Sequence, residues 1–198
     1  MFVTFEGLDG SGKSTQARLL ADALARDGRD VVATREPGGT AVGESIRRLL
    51  LEGGEVAPWT EAALFAAARA QLVEEVIAPA LARGAHVVCD RYLDSSLAYQ
   101  GIARGLGLER VLELNRHAIR GLLPDRTYLL LIDSEESERR MRRPSDRIER
   151  EEPGFRRRVA EAYLELAEAF PERITTIDGT RPSDEIGRLI LDELRQHS

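Results

Sequence analysis

The chain of 198 residues is long enough to bury one substantial core and short for two domains joined by a linker. A composition of 42% hydrophobic and 31% charged residues excludes low-complexity disorder and fibrous repeats, and no apolar run approaches the roughly 18 residues of a membrane span. The net charge of −6 argues against binding to a polymeric nucleic acid. We therefore expect one globular domain over residues 1–198, with neither a nucleic acid polymer nor a membrane as a partner.

Predicted strands and helices alternate along the chain. Apolar runs predict strands, and a period of 3.6 residues predicts helices between them. The strands are expected at residues 1–6, 30–34, 86–89, 127–133 and 174–178, and the helices at 14–26, 42–51, 60–83, 95–103 and 108–121, with two more capped by Ser134 and begun at Ser183. This order predicts the α/β class, with a five-stranded parallel sheet, helices on both faces and ligands at the carboxyl ends of the strands.

The single cysteine and the first residues bear on location. Cys89 has no partner for an intrachain disulfide, and MFVTFEGLDG lacks the charged start and apolar centre of a signal peptide. We therefore expect a reducing, cytoplasmic environment.

The segment between the first strand and the first helix carries the clearest motif. Residues 7–14, GLDGSGKS, match the phosphate-binding pattern GxxxxGK(S/T) in the required strand–loop–helix context. Backbone N–H groups and the helix N-terminus favour a phosphate, Lys13 reaches the β- and γ-oxygens, and Ser14 can ligate magnesium. Lys13 is also the only lysine among 28 basic residues, which argues against a fortuitous glycine-rich turn. The residues expected to bind the nucleotide are Gly7, Leu8, Asp9, Gly10, Ser11, Gly12, Lys13, Ser14 and Thr15.

Nucleotide binding alone does not define an enzyme, because switch GTPases and mechanical ATPases share this loop. A guanine-binding NKxD motif is missing from the sequence, since the only asparagine, Asn115, is followed by Arg116. The switch GTPase class is therefore disfavoured.

Two further motifs suggest an acceptor site. Arg35 begins REPGGT after the second predicted strand, where loops face ligand, although a solvated strand end is about equally compatible. Phe65 and Arg69 lie four residues apart on a predicted helix and could stack on and hydrogen-bond a base. Phe65 also belongs to an ordinary apolar stripe, so Arg69 is the less expected of the two.

Charged residues also follow the third predicted strand. Asp90 suits a magnesium shell, and Arg91 suits a phosphate. Asp133, which follows the apolar run at residues 128–132, is an equally good acidic candidate, and spacing does not choose between them.

Residues 139–158 are rich in arginine and depart from the alternation of strands and helices. Glu136 lies four residues before Arg140, so an ion pair on a solvent-exposed helix accounts for this arginine. Arg142, Arg143 and Arg147 flank a proline where that helix should stop, and a mobile arginine there could clamp a transferring phosphoryl group. We expect a lid at about residues 139–152.

Four blocks, FEGLDGSGKST, TREPGGT, DRYLDSSLAYQG and the arginine-rich segment ending in DRIE, together resemble the bacterial thymidylate kinase family. The similarity runs from residue 2 to about residue 178, and DRYLDSSLAYQG and the order of the blocks are its specific part. It implies a three-layer P-loop NTPase fold with a short arginine-rich lid. It also implies a magnesium-dependent homodimer that transfers the γ-phosphoryl group of ATP to dTMP, giving dTDP and ADP, in dTTP biosynthesis.

The resemblance further implies a role for each matching residue. Phe65 would stack on thymine, Arg69 would bond its carbonyl edge, Ser96 would lie near N3, and Tyr99 would press on the sugar and disfavour ribose. Arg35 and Arg91 would hold the phosphate, and Asp9 would approach the 3′-hydroxyl and orient the arginines. The implied dTMP-binding set is Asp9, Arg35, Phe65, Arg69, Arg91, Ser96, Tyr99 and Gln100, and the implied metal set is Ser14 and, through water, Asp90.

The catalytic arginine is expected from the lid, because Gly10 stands where one branch of the family has an arginine in the phosphate loop. Arg142 or Arg143 is the candidate, with Arg139 and Arg147 in support, so the implied catalytic set is Lys13, Asp9, Arg91, Arg142 and Arg143. A cis bond is expected at Glu36–Pro37, and residues 178–182 are expected beside adenine.

Two other functions compete with this one. A deoxynucleoside kinase would phosphorylate a neutral hydroxyl and need a carboxylate base. A non-catalytic regulatory protein would bind ATP and close its lid without turnover.

Overall fold

The computed structural model describes residues 1–141, 147–148 and 150–196. In chain order its elements are β1 (Phe2–Gly7), α1 (Lys13–Arg26), β2 (Val31–Arg35), α2 (Ala41–Glu52), α3 (Pro58–Leu72), π1 (Val73–Ile77), α4 (Ala78–Ala82), β3 (His86–Asp90), α5 (Leu93–Ser96), π2 (Leu97–Ala103), α6 (Leu108–Ile119), β4 (Arg126–Leu131), α7 (Ser134–Arg140), α8 (Pro153–Ala169), β5 (Ile174–Asp178) and α9 (Ser183–Gln196), where π marks a π-helical turn. Among the helices of the described ranges, none has both the length and the apolar character that a bilayer crossing requires.

All five strands pair in parallel, in the order β2-β3-β1-β4-β5. In the central register Phe5 of β1 lies opposite Asp90 of β3 and Tyr128 of β4. The loops that follow β1 and β3 therefore leave the sheet side by side at its carboxyl edge. The predicted five-stranded parallel sheet is confirmed.

Helices cover both faces of the sheet, which confirms the predicted layers. On one face, Phe2 of β1 belongs to a core shared with π1, π2 and α8, including Ile77, Leu97 and Val159. On the other face, Val3 and Phe5 pack with α1 and α9. This alternation along β1 follows from the strand period of two.

Two predicted helices differ from the structure in their internal geometry. The helix predicted at 60–83 runs from Pro58 to Ala82 and contains the π turn π1, and the helix predicted at 95–103 begins at Leu93 and passes into π2. A π turn widens the helix locally without interrupting the apolar stripe, so residue periodicity does not reveal it.

The boundary between β4 and α7 also differs from the prediction. The strand ends at Leu131 rather than at Asp133, and the helix is capped by Asp133 instead of Ser134. The Asp133 side chain accepts a hydrogen bond from the backbone N–H of Glu136 at 2.7 Å. Asp133 therefore satisfies a free N–H of the first helical turn, a common role for aspartate.

Helix α8 is missing from the predicted elements, because the density of arginines in residues 139–158 indicates a departure from the layered core. The helix begins at Pro153 and buries Phe155, Val159 and Tyr163 against the sheet. Their spacing of four residues is helical, but the intervening arginines at 156–158 obscure the apolar stripe.

We predict that Gly7→Ala destabilises the protein far more than Gly28→Ala. Both glycines have positive φ, +132° and +77°, so both substitutions strain the backbone, by about 1 kcal/mol for a left-handed residue. A Cβ on Gly7 would lie 2.4 Å from the carbonyl oxygen of Leu130, whereas a Cβ on Gly28 meets no atom within 4 Å. Denaturant unfolding should show a loss of about 3 kcal/mol or more for Gly7→Ala. Equal losses in the two variants would contradict the close approach of β1 to β4.

Candidate active site

A cleft of about 620 Å³ opens at the carboxyl ends of β1, β2 and β3. Most of the residues that the sequence motifs predict for the site line this cleft, both those expected to bind ATP and those expected to bind the acceptor. The predicted residues on its wall are Asp9, Gly10, Gly12, Lys13, Ser14, Thr15, Arg35, Phe65, Asp90, Arg91, Ser96, Tyr99 and Gln100. Gly7, Leu8, Ser11 and Arg69 are not part of the wall, and Arg142 and Arg143 lie outside the described residues.

The phosphate loop is folded around the lysine. Lys13, the first residue of α1, is buried and donates to the carbonyl oxygen of Leu8 at 2.7 Å, while its Nζ lies 4.0 Å from a carboxylate oxygen of Asp9. Burial, reinforced by the positive charge of Arg91, lowers the pKa of Lys13 to about 8. The loop therefore holds a partly desolvated cation at a helix N-terminus, an arrangement that favours a polyanionic ligand.

Asp90 and Ser14 meet at the bottom of the cleft. The Ser14 hydroxyl donates to Oδ2 of Asp90, and Oδ1 of Asp90 is buried without a hydrogen-bond partner in the part of the chain that the structure describes. Asp133, the alternative acidic candidate, is instead occupied in capping α7. The geometry thus favours Asp90 over Asp133 as the carboxylate that serves a metal.

Arg91 is held by two sets of partners. Its Nη1 donates to the hydroxyls of Ser95 and Tyr163 at 3.0 and 3.1 Å, and its Nη2 donates to Asp9 at 2.7 Å and to the Tyr99 hydroxyl at 3.4 Å. The Nε–H makes no hydrogen bond to any residue that the structure describes, and the side chain lines the cleft. The backbone of Arg91 has φ +69°, which is rare for arginine and occurs where surrounding contacts enforce it.

A carboxylate that the sequence reasoning missed lies beneath Arg91. Glu6, at the end of β1, is completely buried, and burial together with the charge of Asp94 raises its pKa to about 7. It accepts hydrogen bonds from Ser95 and Tyr163, the same hydroxyls that contact Arg91. The available signal was a lone glutamate in an otherwise apolar strand, FVTFEG.

Arg35 lies at the rim of the cleft and is half exposed. Its Nη2 donates to Glu44 at 2.9 Å, and the same carboxylate oxygen accepts from the backbone N–H of Gly39. Arg47, which was not predicted, also lines the cleft and donates to the carbonyl oxygen of Pro37 at 2.9 Å. The peptide bond between Glu36 and Pro37 is cis, as expected.

The far end of the cleft is formed by apolar and polar residues of several helices. Phe65 of α3 lies there with Leu51 and Ile148, and Ser96 and Gln100 provide polar groups. Tyr99 of π2 places its ring 5.3 Å from the guanidinium carbon of Arg91. An aromatic wall with a few polar side chains suits a planar, partly polar ligand such as a base.

Arg69 lies behind this wall. It is 1% exposed, and all five of its N–H groups are used within the protein: by Glu36, Ser96, Asn115 and the carbonyl of Tyr92. Its Nη1 donates to the hydroxyl of Ser96 at 3.1 Å, and Ser96 is on the cleft wall. The structure therefore connects Arg69 to the cleft through Ser96 and Glu36, not through its own guanidinium.

Arg140 and Arg147 connect the arginine-rich segment to the body of the protein. Arg140 pairs with Glu136, as expected for an ion-paired helix, but it also lines the cleft and donates to the carbonyl oxygen of Gly179 at 2.8 Å. Arg147 donates to the carbonyl oxygen of Leu50 at 2.8 Å and to Glu61 at 2.5 Å. Arg139 forms an ion pair with Glu136, three residues upstream on the same helix.

Comparisons with known proteins agree with this geometry. The family model described as thymidylate kinase matches residues 5–190. The chain is 46% identical over 198 residues to the thymidylate kinase of Caldanaerobacter subterraneus subsp. tengcongensis, covering 99% of this chain and 95% of the relative. It is 52% identical over 185 residues to that of Pelotomaculum thermopropionicum, covering 91% and 86%.

The fold comparison gives the same result. The crystal structure of thymidylate kinase from Ehrlichia chaffeensis superimposes with a TM-score of 0.84 at 33% identity, covering 98% of both chains. A phosphate loop in a cleft lined by arginines and aromatic residues therefore accompanies similarity over nearly the whole sequence. The chain belongs to the thymidylate kinase family.

Proposed function

We propose that this chain transfers the γ-phosphoryl group of ATP to dTMP, giving dTDP and ADP. The observation that carries the proposal is the position of Asp9 between two cations. One of its carboxylate oxygens lies 4.0 Å from Nζ of Lys13 on the phosphate-loop side and accepts from Arg91 at 2.7 Å on the acceptor side. Two phosphate-binding cations thus meet in one cleft, as a transfer between two phosphates requires.

The residues around the acceptor phosphate suit positioning better than proton abstraction. Arg35 and Arg91 offset the repulsion between the donor and acceptor phosphates, and Asp9 keeps Arg91 oriented. A phosphate acceptor is already an anion near neutral pH, so the reaction needs no strong general base. Charge neutralisation by Lys13 and a lid arginine, Arg142 or Arg143, then supplies most of the rate acceleration.

The chemistry of Asp90 and Ser14 fits a magnesium ion. A buried carboxylate oxygen without a protein partner, next to a serine hydroxyl, is the type of oxygen donor set that magnesium binds. Ser14 would ligate the ion and Asp90 would hold its water shell. When bound, the ion neutralises charge on the phosphates of ATP.

Base recognition is assigned to the far end of the cleft. Phe65 provides the stacking surface, and Ser96 and Gln100 provide the polar edge. Arg69 contributes by fixing the Ser96 hydroxyl, and it would contact the base itself only after releasing one of its four internal partners. Gly179, in the segment at residues 178–182, accepts a hydrogen bond from Arg140, which lines the cleft. This contact places the start of the segment near the phosphate loop and supports its assignment to the adenine of ATP.

The protein is also proposed to act as a cytoplasmic homodimer, as the family resemblance implies. On α2, Val42 and Leu49 are exposed and seven residues apart, which places them on one helix face. On the neighbouring α3, Trp59 is exposed and stacks against the guanidinium of Arg110 at 4.8 Å. These side chains offer an apolar surface to a second copy.

The reaction is tested by measuring ADP release with ATP and magnesium while dTMP, dUMP, UMP, dAMP and thymidine are supplied separately. A strong preference for dTMP supports the proposal. Turnover with thymidine alone indicates a deoxynucleoside kinase, and ATP binding without turnover of any acceptor indicates a regulatory protein.

We predict that Lys13→Met and Arg91→Ala each lower kcat/KM for dTMP by about a hundredfold or more, or about 2.7 kcal/mol, because each removes a cation that stabilises the transferring charge. Arg83→Ala is the matched control, since Arg83 is an exposed arginine paired with Asp30 at the opposite end of the sheet. Near wild-type turnover in either site variant would contradict its assigned role.

We predict that Tyr99→Ala lowers the preference for dTMP over its ribose analogue by about tenfold, because the ring no longer crowds the 2′ position. Tyr99→Phe keeps the ring and should keep the preference. The measurement is the ratio of kcat/KM for the two nucleotides, and an unchanged ratio in Tyr99→Ala would remove Tyr99 from sugar selection.

We predict that Leu49→Asp shifts the protein toward monomers in sedimentation velocity, because a carboxylate in an apolar contact loses its hydration. Leu189→Asp, at an exposed apolar position on α9, serves as the control. A dimer that survives Leu49→Asp would place the contact elsewhere.

A further inference from the structure

The carboxylate of Glu6 is completely buried and does not line the cleft. It occupies the same face of β1 as Phe2, because side chains alternate along a strand. This is the face covered by α8, which brings Tyr163 to the end of β1. An ionisable group in this position requires several hydrogen bonds to offset its loss of hydration.

Four donors from two separate regions supply these bonds. Oε1 of Glu6 accepts from the backbone N–H groups of Tyr92 at 2.8 Å and Ser95 at 3.3 Å, and Oε2 accepts from the hydroxyls of Ser95 at 2.6 Å and Tyr163 at 2.9 Å. Helix α5, which follows Arg91, has Tyr92 as its N-cap residue, and the Tyr92 side chain makes no capping hydrogen bond. Glu6 therefore caps this helix from a neighbouring strand.

The two hydroxyls connect Glu6 to Arg91. Ser95 and Tyr163 place their hydroxyl oxygens 2.6 and 2.9 Å from Oε2 of Glu6, and these two oxygens also lie 2.9 Å from each other. Each hydroxyl oxygen then presents its lone pairs to Nη1 of Arg91, at 3.0 Å from Ser95 and 3.1 Å from Tyr163. Glu6 thus holds both hydroxyl oxygens in place beside the Arg91 guanidinium.

Of the charged groups near Glu6, Arg91 is the cation that the two hydroxyls contact. Asp94, the acidic neighbour of Glu6, is paired with Arg173 at 2.5 and 2.8 Å. The opposite side of the Arg91 guanidinium is held by Asp9. Arg91 is therefore held from both sides by groups of the protein itself, despite its unfavourable backbone φ of +69°.

We infer that Glu6 is a positioning residue for the acceptor phosphate, which acts through the hydroxyls of Ser95 and Tyr163 to fix the guanidinium of Arg91. The inference rests on the proposed function, since it assigns Arg91 to the phosphate of dTMP. It adds three residues, Glu6, Ser95 and Tyr163, to the set that determines how well that phosphate is aligned.

The most conservative test is Tyr163→Phe, which removes one oxygen and keeps the packing of the ring. We expect kcat/KM for dTMP to fall about tenfold, with KM for dTMP raised and KM for ATP unchanged. Tyr128→Phe is the matched control, because it removes a buried hydroxyl from the opposite face of the sheet and should leave both KM values at wild type. Glu6→Gln should lower kcat/KM at least as much as Tyr163→Phe, because its amide donates where the two hydroxyls need an acceptor.

A double-mutant cycle separates positioning from structure. In an Arg91→Ala background, Tyr163→Phe should cause no further loss of kcat/KM, because the group it positions is gone. An equal loss in both backgrounds, unchanged kinetics in Tyr163→Phe and Glu6→Gln, or an equal rise in KM for ATP and dTMP would each overturn the inference. Failure of the proposed function would be recognised earlier, as a wild-type protein that does not turn over dTMP.

Discussion

The ion pair between Asp9 and Arg91 connects the two halves of the cleft. Asp9 belongs to the phosphate loop after β1, and Arg91 follows β3, the strand hydrogen-bonded beside it. The backbone N–H of Arg91 donates to the carbonyl of Phe5 at 3.0 Å, so the sheet register extends directly into the site. The distance between the phosphate loop and Arg91 is consequently set by the parallel pairing of β1 with β3.

Around this pair, buried arginines are matched with buried carboxylates. Arg69 pairs with Glu36, which lines the cleft, and Arg173 pairs with Asp94 away from the cleft wall. Removal of one partner from such a pair leaves an uncompensated charge in a poorly hydrated position, which is strongly destabilising. These pairs therefore fix the positions of the loops after β2 and β3, on which Pro37 and Arg91 are carried.

The sequence predicted the sheet, the phosphate loop and most of the cleft wall, because each depends on local patterns. Gly7 to Ser14 form a contiguous motif, and Asp90 and Arg91 end a strand whose apolar run is clear. Glu6 and the deep position of Arg69 were not predicted, since both depend on side chains that are far away in the chain. Tyr163 contacts Glu6 across 157 residues, and Arg69 contacts Asn115 across 46. Helix α8 is an intermediate case, because its apolar stripe is present but is interrupted by arginines.

The presence of a single lysine, Lys13, determines how this protein reacts with amine-modifying reagents. Apart from the α-amino group of Met1, the ε-amine of Lys13 is the only primary amine in the sequence. Its lowered pKa, about 8, gives it a larger fraction of the nucleophilic neutral form near neutral pH than an exposed lysine has. An amine-selective reagent therefore has two targets, Lys13 and the α-amino group of Met1, and a nucleotide bound at the phosphate loop should protect only Lys13.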